Sequence, residues 1–164
     1  YQLFFGRYFL FFVLSQIQAA VIVAGDLLVL KIQCVEPALL FATGAITSLV
    51  FSLLIYSLTI SFGDVGKAVV VVVMVLQIAG SSGTFPIELL PDVYQKIYHI
   101  FPFPYAIDAM RECICGLYGL TWLKNIGCLL IFGAAALLIG LWVRKPFMGL
   151  NHFMEEKLEE TEML

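Results

Sequence analysis

The sequence has 164 residues, of which 62% are hydrophobic and 13% charged, with a formal net charge of −3. A globular domain carries about a quarter of its residues as charges, so the apolar excess has to face lipid, which excludes an ordinary water-soluble domain. The negative charge gathers in the C-terminal tail, and no basic patch points to nucleic acid.

Four stretches are nearly free of charge and about long enough to cross a bilayer as helices: 8–30, 37–60, 67–85 and 122–143. Helix is the state expected even for the valine run 69–73, because lone strands leave backbone groups unsatisfied in lipid. The expected fold class is an all-α membrane protein: four transmembrane helices, with a short extracellular re-entrant, amphipathic helical hairpin over 86–119 before the last. Residues 1–146 form the membrane domain, and 147–164 form an acidic cytoplasmic tail. Tyr1 is not a methionine and no basic leader follows it, so the chain reads as the second half of something longer.

In the first stretch, Gln16 and Gln18 lie near mid-membrane and Asp26 lies about one turn from the outer end. An intramembrane polar group marks a pathway by default. The plainer reading is an amide bonded to a neighbouring helix for the glutamines, and an interfacial carboxylate for Asp26. In the second stretch Gly44, Ser48 and Ser52 recur every fourth residue, as Gly133, Ala136 and Gly140 nearly do in the last. Such stripes let helices approach closely.

The third stretch is the odd one. Its solidly apolar part, 68–79, makes roughly 18 Å of helix, too short for a hydrocarbon core of about 30 Å. Chain at membrane depth must then continue through Gly80, Gly83, Thr84, Phe85 and Pro86, which become candidate hinge residues, with Pro91, Pro102 and Pro104 shaping a lid beyond them. Between these breakers lie two short amphipathic pieces. Leu90, Val93, Tyr94, Ile97 and Phe101 share one face of the first. Ile107, Met110, Ile114 and Leu117 share the apolar face of the second, opposite Asp108, Arg111 and Glu112. Those three charges read as a salt-bridged face with Arg111 at its hub, or as a gate that breaks and reforms.

Arg7, Lys67 and Arg144-Lys145 flank the spans on one side, which places both termini in the cytoplasm. Cys34, Cys113, Cys115 and Cys128 lack zinc spacing, and a Cys34 bridge to Cys113 or Cys115 is open because all three fall near the outer surface. The segment Gly63-Asp-Val-Gly-Lys67 lacks the gap and the hydroxyl of a phosphate loop, and no nucleophile elbow or metal-ligand spacing occurs. No catalytic, cofactor-binding or metal-binding residue is expected, and the chain is not read as an enzyme.

The ordered run Gly83-Thr-Phe-Pro86, Leu89-Leu-Pro91 and Pro102-Phe-Pro-Tyr-Ala106 with Arg111 resembles the C-terminal membrane domain of the YhgE/Pip (phage infection protein) family, within the ABC-2-type transporter membrane domains. The resemblance implies a component of an ABC-2-type export system. It implies pairing as a homodimer or with a second membrane half, and a separate cytoplasmic ATPase driving it. The alternative is a non-transporting scaffold or receptor anchoring an extracytoplasmic region, in phage adsorption or type VII secretion. Either way the setting is a multi-pass bacterial plasma membrane.

Overall fold

A computed structural model describes residues 2–80, 89 and 91–143. Among the described residues every regular element is helical: α1 (Gln2–Leu28), α2 (Pro37–Gly80), α3 (Asp92–Ile97), α4 (Phe103–Cys115) and α5 (Thr121–Leu138). A 3₁₀ turn, Tyr98–Ile100, follows α3, and a π turn, Ile139–Val143, ends α5. Three helices are long and apolar enough to cross a membrane, Phe4–Leu28, Pro37–Gly63 and Thr121–Trp142, and Val65–Ile78 is a shorter apolar helix. The first crossing starts closer to the N-terminus than the sequence pattern suggests, because Phe4 and Phe5 extend its apolar length.

The loop expected between the second and third stretches is a turn centred on one residue. Gly63 has φ 57° and ψ −133°, a conformation that only glycine adopts without strain. The chain folds back there. A Cβ placed on Gly66 would stand 2.4 Å from the carbonyl oxygen of Leu58. In an unbroken helix those residues would lie about 12 Å apart along the axis. The two arms of α2 therefore form a tight helical hairpin. The returning arm turns Gly66, Val70, Gln77 and Gly80 inward, a stripe at helical spacing, and exposes Val69, Val71, Val72, Val75 and Ile78.

Cross-contacts fix the directions of the other helices. Along α1 and α2, Val23 meets Gly44, Ser15 accepts from Ser48, Tyr8 meets Ser52, and Tyr56 donates to the Phe4 carbonyl. These pairs advance on one helix as they retreat on the other, so α1 is antiparallel to the first arm of α2. Trp122 meets Thr43, Gly133 meets Val50 and Gly140 meets Ser57, so α5 runs parallel to it. The bundle thus has a Pro37 end and a Gly63 end. The small residues noted in the sequence lie at these seams: Gly44, Ser48 and Ser52 face α1, while Gly133 and Gly140 face α2 and Ala136 is buried.

α4 lies along only part of the bundle. Its start sits where the Phe103 and Phe51 rings are 5.1 Å apart, and near its end the Cys113 thiol is 3.4 Å from Thr43 Oγ1. The buried side of this 13-residue helix is Pro104, Ala106, Ala109 and Cys113. This corrects the apolar face expected at Ile107, Met110, Ile114 and Leu117, none of which is buried. Small side chains win the seam because they let α4 approach α2 and α5, whose Val50, Ile126 and Leu129 complete that core. Of the larger apolar groups, Met110 and Ile114 stay half-buried against Val23, Leu40 and Cys113, and Leu117 is left exposed. For the first amphipathic piece, the face expected at Leu90, Val93, Tyr94 and Ile97 lies outside the described side chains.

A candidate gate at the Pro37 end of the bundle

The second proline-rich turn sets α4 in place. Pro102 occupies the position before its first turn, and Pro104 the second helical position, where a missing N–H leaves no bond unmade. The Tyr105 hydroxyl donates to the His99 carbonyl at 3.0 Å, tying the 3₁₀ turn to the helix, and its ring lies 6.1 Å from Phe132 of α5. At the other end the carbonyls of Cys113 and Ile114, left open by the helix terminus, accept from the backbone of Glu36 and Val35 at 3.1 and 3.3 Å. The loop between α1 and α2 thus caps α4. Gly116, at φ 112°, makes the exit.

A second set of bonds lies just beneath this cap. Thr43, completely buried, accepts from Trp122 Nε1 at 3.0 Å and donates to the Leu39 carbonyl at 2.7 Å. The Cys113 thiol faces the same hydroxyl, and the Cys34 thiol donates to the Cys113 carbonyl at 3.1 Å. All four cysteines are free thiols. The bridge left open in the sequence is therefore not made: Cys113 turns its sulfur toward Thr43 and offers Cys34 its backbone. Helices α2, α4 and α5 and the loop 29–36 meet in this clasp.

The charges of α4 do not form one cluster. Arg111 pairs with Asp108 at 3.2 Å, both side chains being substantially exposed. Glu112 stands apart, with Oε2 buried and no hydrogen-bond partner among the described residues. Gln16 donates to the Ala45 carbonyl at 3.1 Å, a helix-to-helix bond of the plain kind. Gln18 instead opens onto a cavity of about 310 Å³ between α1 and α2, walled by Phe11, Leu14, Ser52, Tyr56 and Thr59. Asp26 is half-buried near the end of α1, and its carbonyl accepts from the Ile32 amide at 3.2 Å.

Of the hinge candidates, Gly80 is the buried last residue of α2 and Pro91 is exposed just before α3, while Gly83, Thr84, Phe85 and Pro86 lie outside the described residues. Sequence reasoning missed Gly63 and Gly66 as the hairpin turn and Thr43 as the centre of the clasp. The glycine pair inside an apolar run was a usable signal. A threonine among apolar neighbours was not.

The comparisons with known proteins agree with this architecture. Residues 1–142 match the ABC-2 family transporter protein family. The uncharacterized protein YhgE of Bacillus subtilis (strain 168) is 32% identical over 163 residues, which are 98% of this chain and 20% of YhgE. The chain thus spans about a fifth of the length of that relative. No solved structure matches it. With an all-helical bundle carrying three membrane-length helices, and with a family match running from its first residue through α5, the chain belongs to the ABC-2 family of transporter proteins.

Proposed function

We propose that this chain is the membrane-spanning part of an ABC-2-type exporter, with its Gly63 end in the cytoplasm and α4 acting as an outer gate. The reading counts four crossings: α1, both arms of α2, and α5. The short arm Val65–Ile78 reaches the required depth because Lys67 can snorkel at its start and Gly80 carries it on. Arg7 and Lys67 stand at the Gly63 end, which supports a cytoplasmic placement of that end and of both termini.

One observation carries the proposal. α4 runs beside α2 from the level of Phe51 to that of Thr43 and stops. Phe51 stands about 21 Å along α2 from Pro37, so α4 enters from the outside and turns back near the middle of a core about 30 Å thick. In this scheme the clasp around Thr43 holds the re-entrant helix closed, and the Asp108–Arg111 pair, with Glu112, forms its wettable side. Gly80, with the prolines at 91, 102 and 104 and the segment 83–86, provides the hinge. Gln18 and its cavity, with Asp26, are the pathway groups that remain once Gln16 is committed to Ala45.

A separate cytoplasmic ATPase and a second membrane half complete the exporter. The turn at Gly63, with Val65 and Lys67 exposed beside it, is the contact available to such an ATPase. Reconstitution of the full-length protein in liposomes with its co-purifying ATPase tests the scheme. ATP turnover that rises when the membrane protein and the ATPase are reconstituted together is the expected result. A stable membrane complex that binds no ATPase would overturn it and leave the scaffold reading.

A further inference from the structure

We propose that a water-filled vestibule descends along α4 to half the depth of the membrane, floored by His99 and walled by Tyr105, Asp108, Arg111 and Glu112. This rests on the re-entrant reading of α4 above. The depth of the floor follows from three anchors: Phe103 on Phe51, Tyr105 beside Phe132, and the Tyr105 hydroxyl on the His99 carbonyl. Phe51 and Phe132 stand roughly 21 and 17 Å along their helices from the outer end. A hydrocarbon core about 30 Å thick puts both near its centre.

What the chain presents at that depth does not suit lipid. His99, whose carbonyl is held by Tyr105, is exposed there, and Asp92, Gln95 and Lys96 are exposed on the short helix that leads to it. The backbone from Tyr98 to Pro102 is a 3₁₀ turn and a bend, interrupted by proline. Irregular backbone and polar side chains at membrane depth persist only against protein or a wet cavity. Lys96 can snorkel away on its long stem; His99 cannot, being short and held by its own carbonyl.

The route upward is marked as well. Tyr105, Asp108 and Glu112 recur at helical spacing, with Arg111 paired to Asp108, so a polar stripe climbs from the His99 contact to the outer end of α4. Glu112 ends that stripe half-buried, with Oε2 turned inward and without a hydrogen-bond partner among the described residues. Water entering from the outer face, rather than lipid, is the occupant that satisfies the whole stripe.

Thiol accessibility in intact cells tests this, using the full-length protein with its own cysteines replaced by alanine and a membrane-impermeant methanethiosulfonate reagent. Single cysteines go in as His99→Cys, Lys96→Cys and Asp108→Cys. Ile131→Cys serves as the apolar control at the same depth, Leu120→Cys as the outer control and Val65→Cys as the inner one. Labelling after denaturation counts the protein present in each case. The expected result is modification at 99, 96, 108 and 120 and none at 131 or 65. Silence at 99 and 96, or equal labelling at 131, with the two end controls behaving, overturns the vestibule alone. Labelling at 65 from outside, or silence at 120, overturns the membrane orientation on which it rests.

Discussion

The two ends of the bundle share close packing and hydrogen bonds, and differ in which of the two predominates. At the Gly63 end Tyr56 and Ser61 donate to the Phe4 and Ile139 carbonyls, but close approach dominates: a Cβ on Gly140 would lie 2.7 Å from Ser57 Oγ and 2.9 Å from the Phe4 ring, and one on Gly66 would strike backbone. At the Pro37 end the contacts are directional bonds, with Trp122 on Thr43, the loop amides on the carbonyls of α4, and a thiol on Cys113. Close packing has no half-open state, because separating the helices forfeits the whole contact. A few hydrogen bonds can break and reform one at a time. On the proposed reading, the close-packed end is the anchor and the hydrogen-bonded end is the part that moves.

The sharpest way to break the comparison is to fill the anchor. Gly66→Val places a branched side chain where even a methyl group meets the Leu58 carbonyl at 2.4 Å, so the two arms of α2 have to part. Overpacking of a tight core costs about 1–3 kcal/mol, and here the rigid neighbour is backbone, so the upper end applies. The expected outcome is loss of the monodisperse species in size-exclusion chromatography of the detergent-solubilised protein. Normal elution and an unchanged melting temperature would show that the turn does not depend on close approach.

Gly63→Ala comes next and tests the turn rather than the seam. The constraint there is the backbone, with φ 57° and ψ −133°. Holding a residue with a Cβ in so sparsely populated a region, far from the left-handed helical well, costs on the order of 1–3 kcal/mol. A melting temperature several degrees below the parent, with unchanged oligomer size, is the expected readout in scanning fluorimetry.

These two positions also show what the sequence could and could not tell. Apolar length and the small-residue stripes foretold helices and their seams, because lipid leaves the backbone little choice and small side chains are what let helices meet. The fold-back at Gly63 was expected as a loop, since a glycine pair marks a break without saying how sharp it is. The side of α4 that is buried was misread for a physical reason. Large apolar residues mark the inner face of a helix in water, but in a membrane Leu117 can face outward and Met110 and Ile114 can sit half-buried at the margin while Ala106, Ala109 and Cys113 fill the seam. The clasp stayed hidden because Thr43 and Trp122 are far apart in sequence, and one hydroxyl in an apolar run has no pattern to announce it.

The smallest expected effects fall on that clasp, and their asymmetry identifies it. Thr43→Val removes the acceptor and leaves Trp122 Nε1 without its partner, whereas Trp122→Phe removes the donor and leaves Thr43 still bonded to Leu39. Interhelical bonds in membranes average about 0.6 kcal/mol, and stranding a buried donor adds to that loss, so the valine change should lower the melting temperature more than the phenylalanine change. The double substitution should cost little beyond Thr43→Val alone, since the bond can be lost only once. Strict additivity would mean that the two side chains do not hold α5 to α2 together. The proposed closure of α4 at the Pro37 end would then have to come from the loop bonds at Cys113 and Ile114 by themselves.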